Sequence, residues 1–238
     1  MTAVDWADEL ALVDHHCHSV VGGELDADGF GALLTEAPSA APGADPFDSM
    51  LGLAVRRECA PVLDLPAHAP GPDYLARRAE LGAEDVARRL LAASGTEALL
   101  VDHGFRGGDL LGLDAFSAAA GAPVSEVVRL EAVAEEVAAG LVSTVGAAGA
   151  DDYPEALAAE LSRRAETAVG CKSILAYRHG FDVDPARPSP AEVAVAAERW
   201  LSAQEPSRLV DPVLLRHALW CGVDTGLPVQ LHTGFGDP

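Results

Sequence analysis

Three side chains near the start of the chain have the residue types and spacing of a metal site. Asp14, His16 and His18 alternate along the sequence, and alternate side chains of an extended strand share a face. His15 and Cys17 then lie on the other face. Because two imidazoles on one face can hold a divalent metal, we predict that His16 and His18 are metal ligands. The alternative is a group of polar residues that crowds a strand end without a metal.

A lysine lies within a later apolar segment. Lys172 belongs to Gly170–Tyr177, and burying a lysine is costly unless it is paired or used in chemistry. Strand alternation would place Ile174, Ala176 and Arg178 on the face of Lys172. This lysine could bind substrate, pair with a carboxylate or be carbamylated to bridge two metals. A surface lysine that extends its ammonium into solvent is the alternative.

Other polar residues end neighbouring apolar segments. Asp102 ends one of them, and Arg129 and Glu131 share a face of the next. These last two either pair with each other or bind substrate. Arg106 and Arg178 are candidates to hold a substrate carboxylate, with ordinary surface arginines as the alternative.

One further histidine follows the last apolar segment. Gln230 and His232 share a face by the same alternation, and the Gly-rich residues 233–237 predict a loop in which the backbone can approach a ligand. Taken alone, His232 fits a histidine that is hydrogen-bonded in a turn.

The positions of these residues depend on five short apolar segments, each next to helical sequence. Such segments are typical of parallel strands that are covered on both faces, so they predict an α/β fold. Polar residues at the carboxyl ends of successive strands mark the active-site end of a parallel barrel. The predicted strands are Ala11–His15, Ala98–His103, Ser125–Glu131, Gly170–Tyr177 and Leu227–His232.

The helical segments carry local start and break signals. The helical pattern of Pro72–Ala93 is expected to divide at Gly82. Ser189 stands three residues before Glu192, which predicts a capping box. The long segment 19–97 between the first two strands contains several helices, and we predict that it is an insertion.

Composition narrows the classes of function. The 238 residues carry a net charge of −21, and 49% of them are hydrophobic. This excludes a disordered chain and argues against nucleic acid and anionic membranes as partners. The chain contains no dinucleotide-binding, Walker or nucleophile-elbow motif. The first ten residues lack a basic residue and the cysteines form no CxxC pair, so we expect reduced thiols and a cytoplasmic protein.

The order of these motifs resembles the amidohydrolase superfamily. It is most similar to the amidohydrolase-related branch, which includes the amidohydrolase domain fused to a glutamine-synthetase-like domain. The resemblance extends over essentially the whole chain and implies a metal-dependent (β/α)8 barrel. The segments that carry it are Asp14–His18, Val101–Phe105, Gly170–Arg178 and Pro228–Asp237.

The resemblance also implies a ligand set. His16 and His18 of the first strand and His232 of the fifth would bind the metal, with Zn²⁺ as the expected ion. Lys172 corresponds to a lysine that is carbamylated in binuclear members. The family takes a further histidine from the sixth strand and an aspartate from the eighth, and this sequence stops at Pro238.

We therefore expect residues 1–238 to be the N-terminal portion of a single barrel domain. The expected fold is an incomplete TIM (β/α)8 barrel of about five β/α units, with a helical insertion after strand 1 at about 19–97. The missing part of the barrel, or a second copy in a homo-oligomer, would complete the structure.

The implied activity is hydrolysis of an amide, another C–N bond or an ester in a small carboxylate-bearing molecule by metal-activated water. Lys172 and Asp102 are expected to be catalytic. The expected substrate-binding residues are Arg106, Arg129, Arg178 and Gln230. A metal-dependent decarboxylase of the same superfamily and an inactive truncated fragment are the alternatives, and we expect weak or no activity from the isolated chain.

Overall fold

The structure is a computed structural model that describes residues 10–35, 43–104, 108–145, 149–202 and 208–234. Arg106 lies outside these residues, as does the segment 235–237 of the last motif. Within the described ranges, no helix has both the length and the apolar character that crossing a membrane requires.

The described residues contain five strands that form one sheet. They are β1 (Leu12–Cys17), β2 (Thr96–Asp102), β3 (Val124–Arg129), β4 (Gly170–Ser173) and β5 (Val229–Leu231). Their order in the sheet is their order in the chain. β3 is parallel to β4, and β4 is parallel to β5. Parallel neighbours need crossover connections, and helices supply them here.

The predicted incomplete TIM (β/α)8 barrel of about five β/α units is wrong. The described strands form a sheet that runs from edge strand β1 to edge strand β5. The described connections do not repeat one β/α unit, because β1 and β2 are separated by five α-helices and β2 and β3 by one. Barrel closure depends on pairing between distant strands, which no local pattern encodes. The sequence signal therefore identified a parallel sheet but not the way in which it ends.

The described α-helices are distributed unevenly between these strands. Short 3₁₀ and π-helical turns also occur at Pro46–Asp48 and Val55–Cys59. The α-helices are α1 (Ala27–Ala32), α2 (Met50–Ala54), α3 (Ala60–Val62), α4 (Gly71–Leu81), α5 (Ala83–Ala93), α6 (Leu113–Ala120), α7 (Leu130–Val145), α8 (Tyr153–Ala165), α9 (Leu175–Arg178), α10 (Pro190–Leu201) and α11 (Pro212–Asp224).

Two local helix predictions are confirmed. Gly82 separates α4 from α5 at a φ of 81°, a left-handed region that glycine enters without steric cost. At the start of α10, Ser189 accepts a hydrogen bond from the Glu192 backbone N–H, and the Glu192 side chain accepts one from the Ser189 backbone. This is the predicted capping box.

The chain divides into two compact units. Of the described residues, the first unit contains 10–35, 43–99 and 108–124, and the second contains 100–104, 125–145, 149–202 and 208–234. The boundary falls within β2 and after the first residue of β3, so both strands contribute residues to both units.

The first unit has an aromatic core of its own. The rings of Phe30, Phe47 and Tyr74 have centroid separations of 5.5 to 6.1 Å, and all three residues are buried. The helices between β1 and β2 therefore pack against one another. By contrast, Leu12 and Val13 of β1 are 48% and 55% exposed, so the prediction that this strand is buried is wrong at its beginning.

The second unit has an aliphatic core formed by its helices and strands. Leu130 of α7, Leu157 of α8 and Leu214 of α11 are fully buried in it. A Cβ on Gly222 would lie 2.8 Å from Leu130, so α11 approaches Leu130 closely because this residue is glycine. This packing holds the carboxyl ends of β3 and β4, where the candidate site begins.

Candidate functional site

A row of polar residues crosses the ends of three strands in the second unit. Arg129 of β3 is in register with Lys172 of β4, and Lys172 is in register with Gln230 of β5. Residues paired across parallel strands lie side by side on the sheet. The structure therefore brings together three predicted site residues that are far apart in the sequence.

The carboxylate of Asp102, at the end of β2, is shared by two of these cations. Arg129 donates to it from Nε at 2.9 Å and from Nη2 at 2.6 Å. Lys172 Nζ donates to Asp102 Oδ2 at 2.7 Å, and the backbone N–H of Gly104 donates to Oδ1 at 2.9 Å. Asp102 is completely buried and Lys172 is 1% exposed. Lys172 therefore pairs with a carboxylate, which is one of the three roles considered for it, and it is not a surface lysine.

Burial and ion pairing shift the pKa values of these groups in opposite directions. Burial alone would raise the pKa of Asp102, but the hydrogen bonds and charges of Arg129 and Lys172 hold that pKa below its usual value. Burial lowers the pKa of Lys172, and the Asp102 carboxylate opposes that shift. The ionised carboxylate is the form that this arrangement stabilises, so Asp102 is fixed as an anion between two donors.

Glu131 makes a second polar connection between strand ends, although not the predicted one. β3 ends at Arg129, so Glu131 lies in the first turn of α7 and the two residues do not share a strand face. Glu131 Oε1 accepts hydrogen bonds from Ser173 Oγ at 2.6 Å and from the Ile174 backbone at 3.0 Å. Burial raises the pKa of Glu131, although these hydrogen bonds oppose the shift. Its Oε2 is buried without a hydrogen-bond partner.

This connection explains why the predicted fourth strand is too long. The chain leaves the sheet after Ser173 and turns into α9, and Ile174 and Leu175 direct their N–H groups to Glu131 and Ser173. Ile174, Ala176 and Arg178 therefore do not share a strand face with Lys172. An apolar segment alone did not reveal where the strand gives way to a helical turn.

Arg178, predicted to hold a substrate carboxylate, lies at the end of α9 and its side chain is 8% exposed. Its Nη2 donates to Glu135 Oε1 at 3.3 Å, an oxygen that also accepts from the Leu209 backbone at 2.8 Å. Its Nε and Nη1 are buried without a hydrogen-bond partner. Burial lowers the pKa of Arg178 and Glu135 opposes that shift. Two buried donor nitrogens of Arg178 are thus available to an anion or to water.

The predicted metal ligands of the first strand lie in the first unit. The rings of His16 and His18 have centroids 5.8 Å apart and meet edge to face. Asp14 Oδ1 accepts a hydrogen bond from the His16 backbone at 3.1 Å, so this carboxylate binds its own strand. Two neighbouring imidazoles are donors that suit Zn²⁺. In the part of the chain that the structure describes, no three His, Cys, Asp or Glu side chains are grouped so that they could hold a metal.

His232 lies in the second unit, directly after β5. Its backbone N–H donates to the Ser173 carbonyl at 3.0 Å. Its ring meets the ring of Tyr177 edge to face, with centroids 5.2 Å apart. No role was predicted for Tyr177 from the sequence, and it is the aromatic residue of the helical turn α9 that follows β4.

The comparisons with known proteins found a similar solved structure. No protein-family model matches this chain. None of the curated proteins matches it either. The chain is similar to the crystal structure of a "putative metal-dependent hydrolase" from Lactobacillus casei ATCC 334, with a TM-score of 0.76 and 26% sequence identity. The match covers 98% of this chain and 60% of that one, so the chain spans about three fifths of the length of its structural neighbour.

Proposed function

We propose that this chain belongs to a metal-dependent hydrolase. The observation that carries the proposal is the structural likeness over 98% of the chain to a protein described in those terms. The His16 and His18 pair supports it, because the predicted metal motif places two imidazoles next to each other. We further propose amidohydrolase-type chemistry, the hydrolysis of an amide or another C–N bond, on the resemblance of the sequence motifs.

In this proposal His16 and His18 hold a divalent metal, with Zn²⁺ as the first candidate because imidazole is a ligand it prefers. Such an ion, when bound, supplies a Lewis acid and lowers the pKa of a water molecule towards about 7. His232 keeps its predicted role as a further ligand, and its own variant tests that role separately.

The buried charges of the second unit have a separate part in the proposal. Asp102 positions Arg129 and Lys172 by holding both of them, so the two cations need no reorganisation when negative charge develops on a substrate. We propose that Lys172 stabilises that charge. Asp102 acts through the two cations, so we assign it a positioning role. Gln230, in register with Lys172, is proposed to contact substrate.

The proposed substrate is a small molecule with a carboxylate. Arg178 supports this class, because leaving buried N–H donors unsatisfied costs about 1–3 kcal/mol, and a carboxylate is a strong acceptor for a guanidinium. Arg129 is proposed as a second cation for the same anion. Arg106 keeps its predicted role in substrate binding.

Metal content is the first test. The full chain is purified, and bound metal is measured by elemental analysis in the wild type and in the double variant His16→Ala/His18→Ala. His179→Ala is the matched control, because His179 is an exposed histidine outside the predicted ligand set. We expect the double variant to lose the metal and the control to keep it. Equal metal content in all three proteins would contradict the proposed ligands.

The reaction is then tested with the metal-loaded protein and a panel of N-acylated amino acids and free carboxylic acids. Metal-dependent release of an amine supports amide hydrolysis. Release of CO₂ without amide cleavage would overturn that part of the proposal. An Arg178→Met variant is expected to raise KM for carboxylate-bearing amides more than for their uncharged analogues.

A further inference from the structure

We propose that Tyr177 is a positioning residue for His232, and that position 234 is glycine because the Tyr177 hydroxyl fills the space a side chain would take. The inference rests on the proposed function, in which His232 is a metal ligand. It gives Tyr177 a role that the motifs do not assign, and it gives a steric reason for Gly234, which the sequence places in a loop that can approach a ligand.

The Tyr177 and His232 rings are both anchored at the same strand end. The backbone of His232 donates to the Ser173 carbonyl at 3.0 Å, which holds the end of β5 against β4. Tyr177 lies in α9, whose turn is closed by its own N–H bond to the Ile174 carbonyl at 2.9 Å. Leu175, which is 2% exposed, anchors α9 in the core.

The Tyr177 ring restricts the imidazole. With the His232 backbone held by Ser173, the orientation of the ring depends on the side-chain torsions. The Tyr177 ring lies 5.2 Å from it, centroid to centroid, at an interplanar angle of 89°, which is a favoured geometry for aromatic pairs. A neighbour that orients an imidazole pre-organises it as a ligand.

The Tyr177 hydroxyl also approaches Gly234. A Cβ built on this residue would overlap the Tyr177 hydroxyl oxygen, whereas it would lie at ordinary contact distances of 3.5 and 3.9 Å from ring carbons Cζ and Cε1. Gly234 is not among the residues with positive φ, so its backbone does not require glycine. A side chain at this position therefore requires the Tyr177 hydroxyl to move.

This geometry predicts a specific dependence between the two residues. In Gly234→Ala the new methyl group displaces the Tyr177 ring and with it the imidazole. In Tyr177→Phe/Gly234→Ala the hydroxyl is gone, and the methyl group fits against the ring. Tyr177→Phe alone keeps the ring contact with His232. Alanine at position 234 should therefore weaken metal binding only when the Tyr177 hydroxyl is present.

The experiment is a Co²⁺ titration of the full chain, which follows both affinity and the visible absorption spectrum of the bound ion. Thermal unfolding checks that each variant is folded. Gly234→Ala and Tyr177→Ala are expected to bind Co²⁺ about tenfold more weakly with an altered spectrum, within the range found when the neighbours of metal ligands are removed. Tyr177→Phe and the double variant are expected to match the wild type.

Two outcomes would overturn the inference. One is that Gly234→Ala weakens Co²⁺ binding equally in the wild type and in Tyr177→Phe. The other is that Tyr177→Ala and Gly234→Ala both bind like the wild type. The reference variant His232→Ala separates this inference from the proposed function. If His232→Ala keeps wild-type affinity, the ligand assignment itself fails, whereas if it weakens binding and the Tyr177 and Gly234 variants do not, only the positioning role fails.

Discussion

An aspartate shared between two cations occurs in each of the two units. In the first unit, Asp64 accepts hydrogen bonds from Arg77 and Arg89, both at 2.8 Å, and its side chain is 61% exposed. In the second unit, Asp102 is shared in the same way by two donors, and its side chain is 0% exposed. Asp64 is held by two arginines and Asp102 by an arginine and a lysine, at similar distances, and the two arrangements differ in access to water.

This difference separates a surface ion pair from a candidate site. Water screens the charges around Asp64, and exposed pairs of this kind contribute little to stability. Around Asp102 the carboxylate and the Lys172 ammonium are removed from water and Arg129 is 11% exposed, so the cluster is retained only if its geometry is good. Buried, mutually fixed charges also concentrate at functional sites, which is why the proposed function uses the second cluster and not the first.

Removing the buried carboxylate should have the largest effect. Asp102→Asn leaves Arg129 and Lys172 buried without their shared anion, so we expect the free energy of unfolding to fall by roughly 3–5 kcal/mol. Urea denaturation of both proteins measures the change. A loss as small as that of an exposed pair would contradict the view that burial distinguishes the two clusters.

Removing one buried cation should have a smaller effect. In Lys172→Met the apolar side chain occupies similar space, and Asp102 keeps Arg129 and the Gly104 N–H as donors. We expect the free energy of unfolding to fall by about 1–3 kcal/mol, the cost of one lost partner of a buried group. The same denaturation measurement tests it, and a loss larger than that of Asp102→Asn would show that the lysine and not the carboxylate organises the cluster.

The pH dependence should have opposite signs at Asp102 and Glu131. The pKa of Asp102 is lowered in the folded chain, so its stabilising contribution is present above its unfolded pKa of about 3.9 and is lost as pH falls towards the folded value. The pKa of Glu131 is raised. Its contribution is therefore present at low pH and is lost as pH rises through the folded value.

The measurement compares the wild type with Asp102→Asn and Glu131→Gln by urea denaturation across a pH series from acid to neutral. We expect the advantage of the wild type over Asp102→Asn to shrink as pH falls. The stability of Glu131→Gln relative to the wild type should increase as pH rises. Parallel pH curves for the wild type and either variant would contradict the shift assigned to that carboxyl.

The smallest effect is expected at the exposed carboxylate. Asp64 has a φ of 66°, and Asn tolerates this left-handed conformation as Asp does, so Asp64→Asn changes the charge without straining the backbone. We expect its unfolding midpoint to stay close to that of the wild type, and added salt to reduce the remaining difference. A shift comparable with that of Asp102→Asn would remove the contrast between the two units.

The sequence singled out residues that the structure brings together, and their functional roles stay predictions. Asp102, Lys172 and Arg129 were recognised as polar residues within or at the ends of apolar segments, and the structure brings these three together. The length of β4 and the role of Glu131 were wrong, because the turn after Ser173 depends on a carboxylate supplied by another element. The barrel was wrong because strand pairing at the sheet edges is not a local property.

Structural features that depend on residues within about one helical turn of each other were determined by the sequence itself. The capping box joins Ser189 to Glu192, three residues away, and the break between α4 and α5 depends on the backbone of Gly82 alone. Such features form from neighbours in the chain, so the residue types and their spacing are sufficient to predict them.

The charge pairing was decided only by the tertiary structure. Asp102 meets Arg129 across 27 residues and Lys172 across 70, and Glu131 meets Ser173 across 42. At such separations many partners of the right charge compete, and the strand register selects among them. Burial then converts the selected contacts from screened surface pairs into a fixed cluster, because the electrostatic strength of a contact depends on the surrounding water.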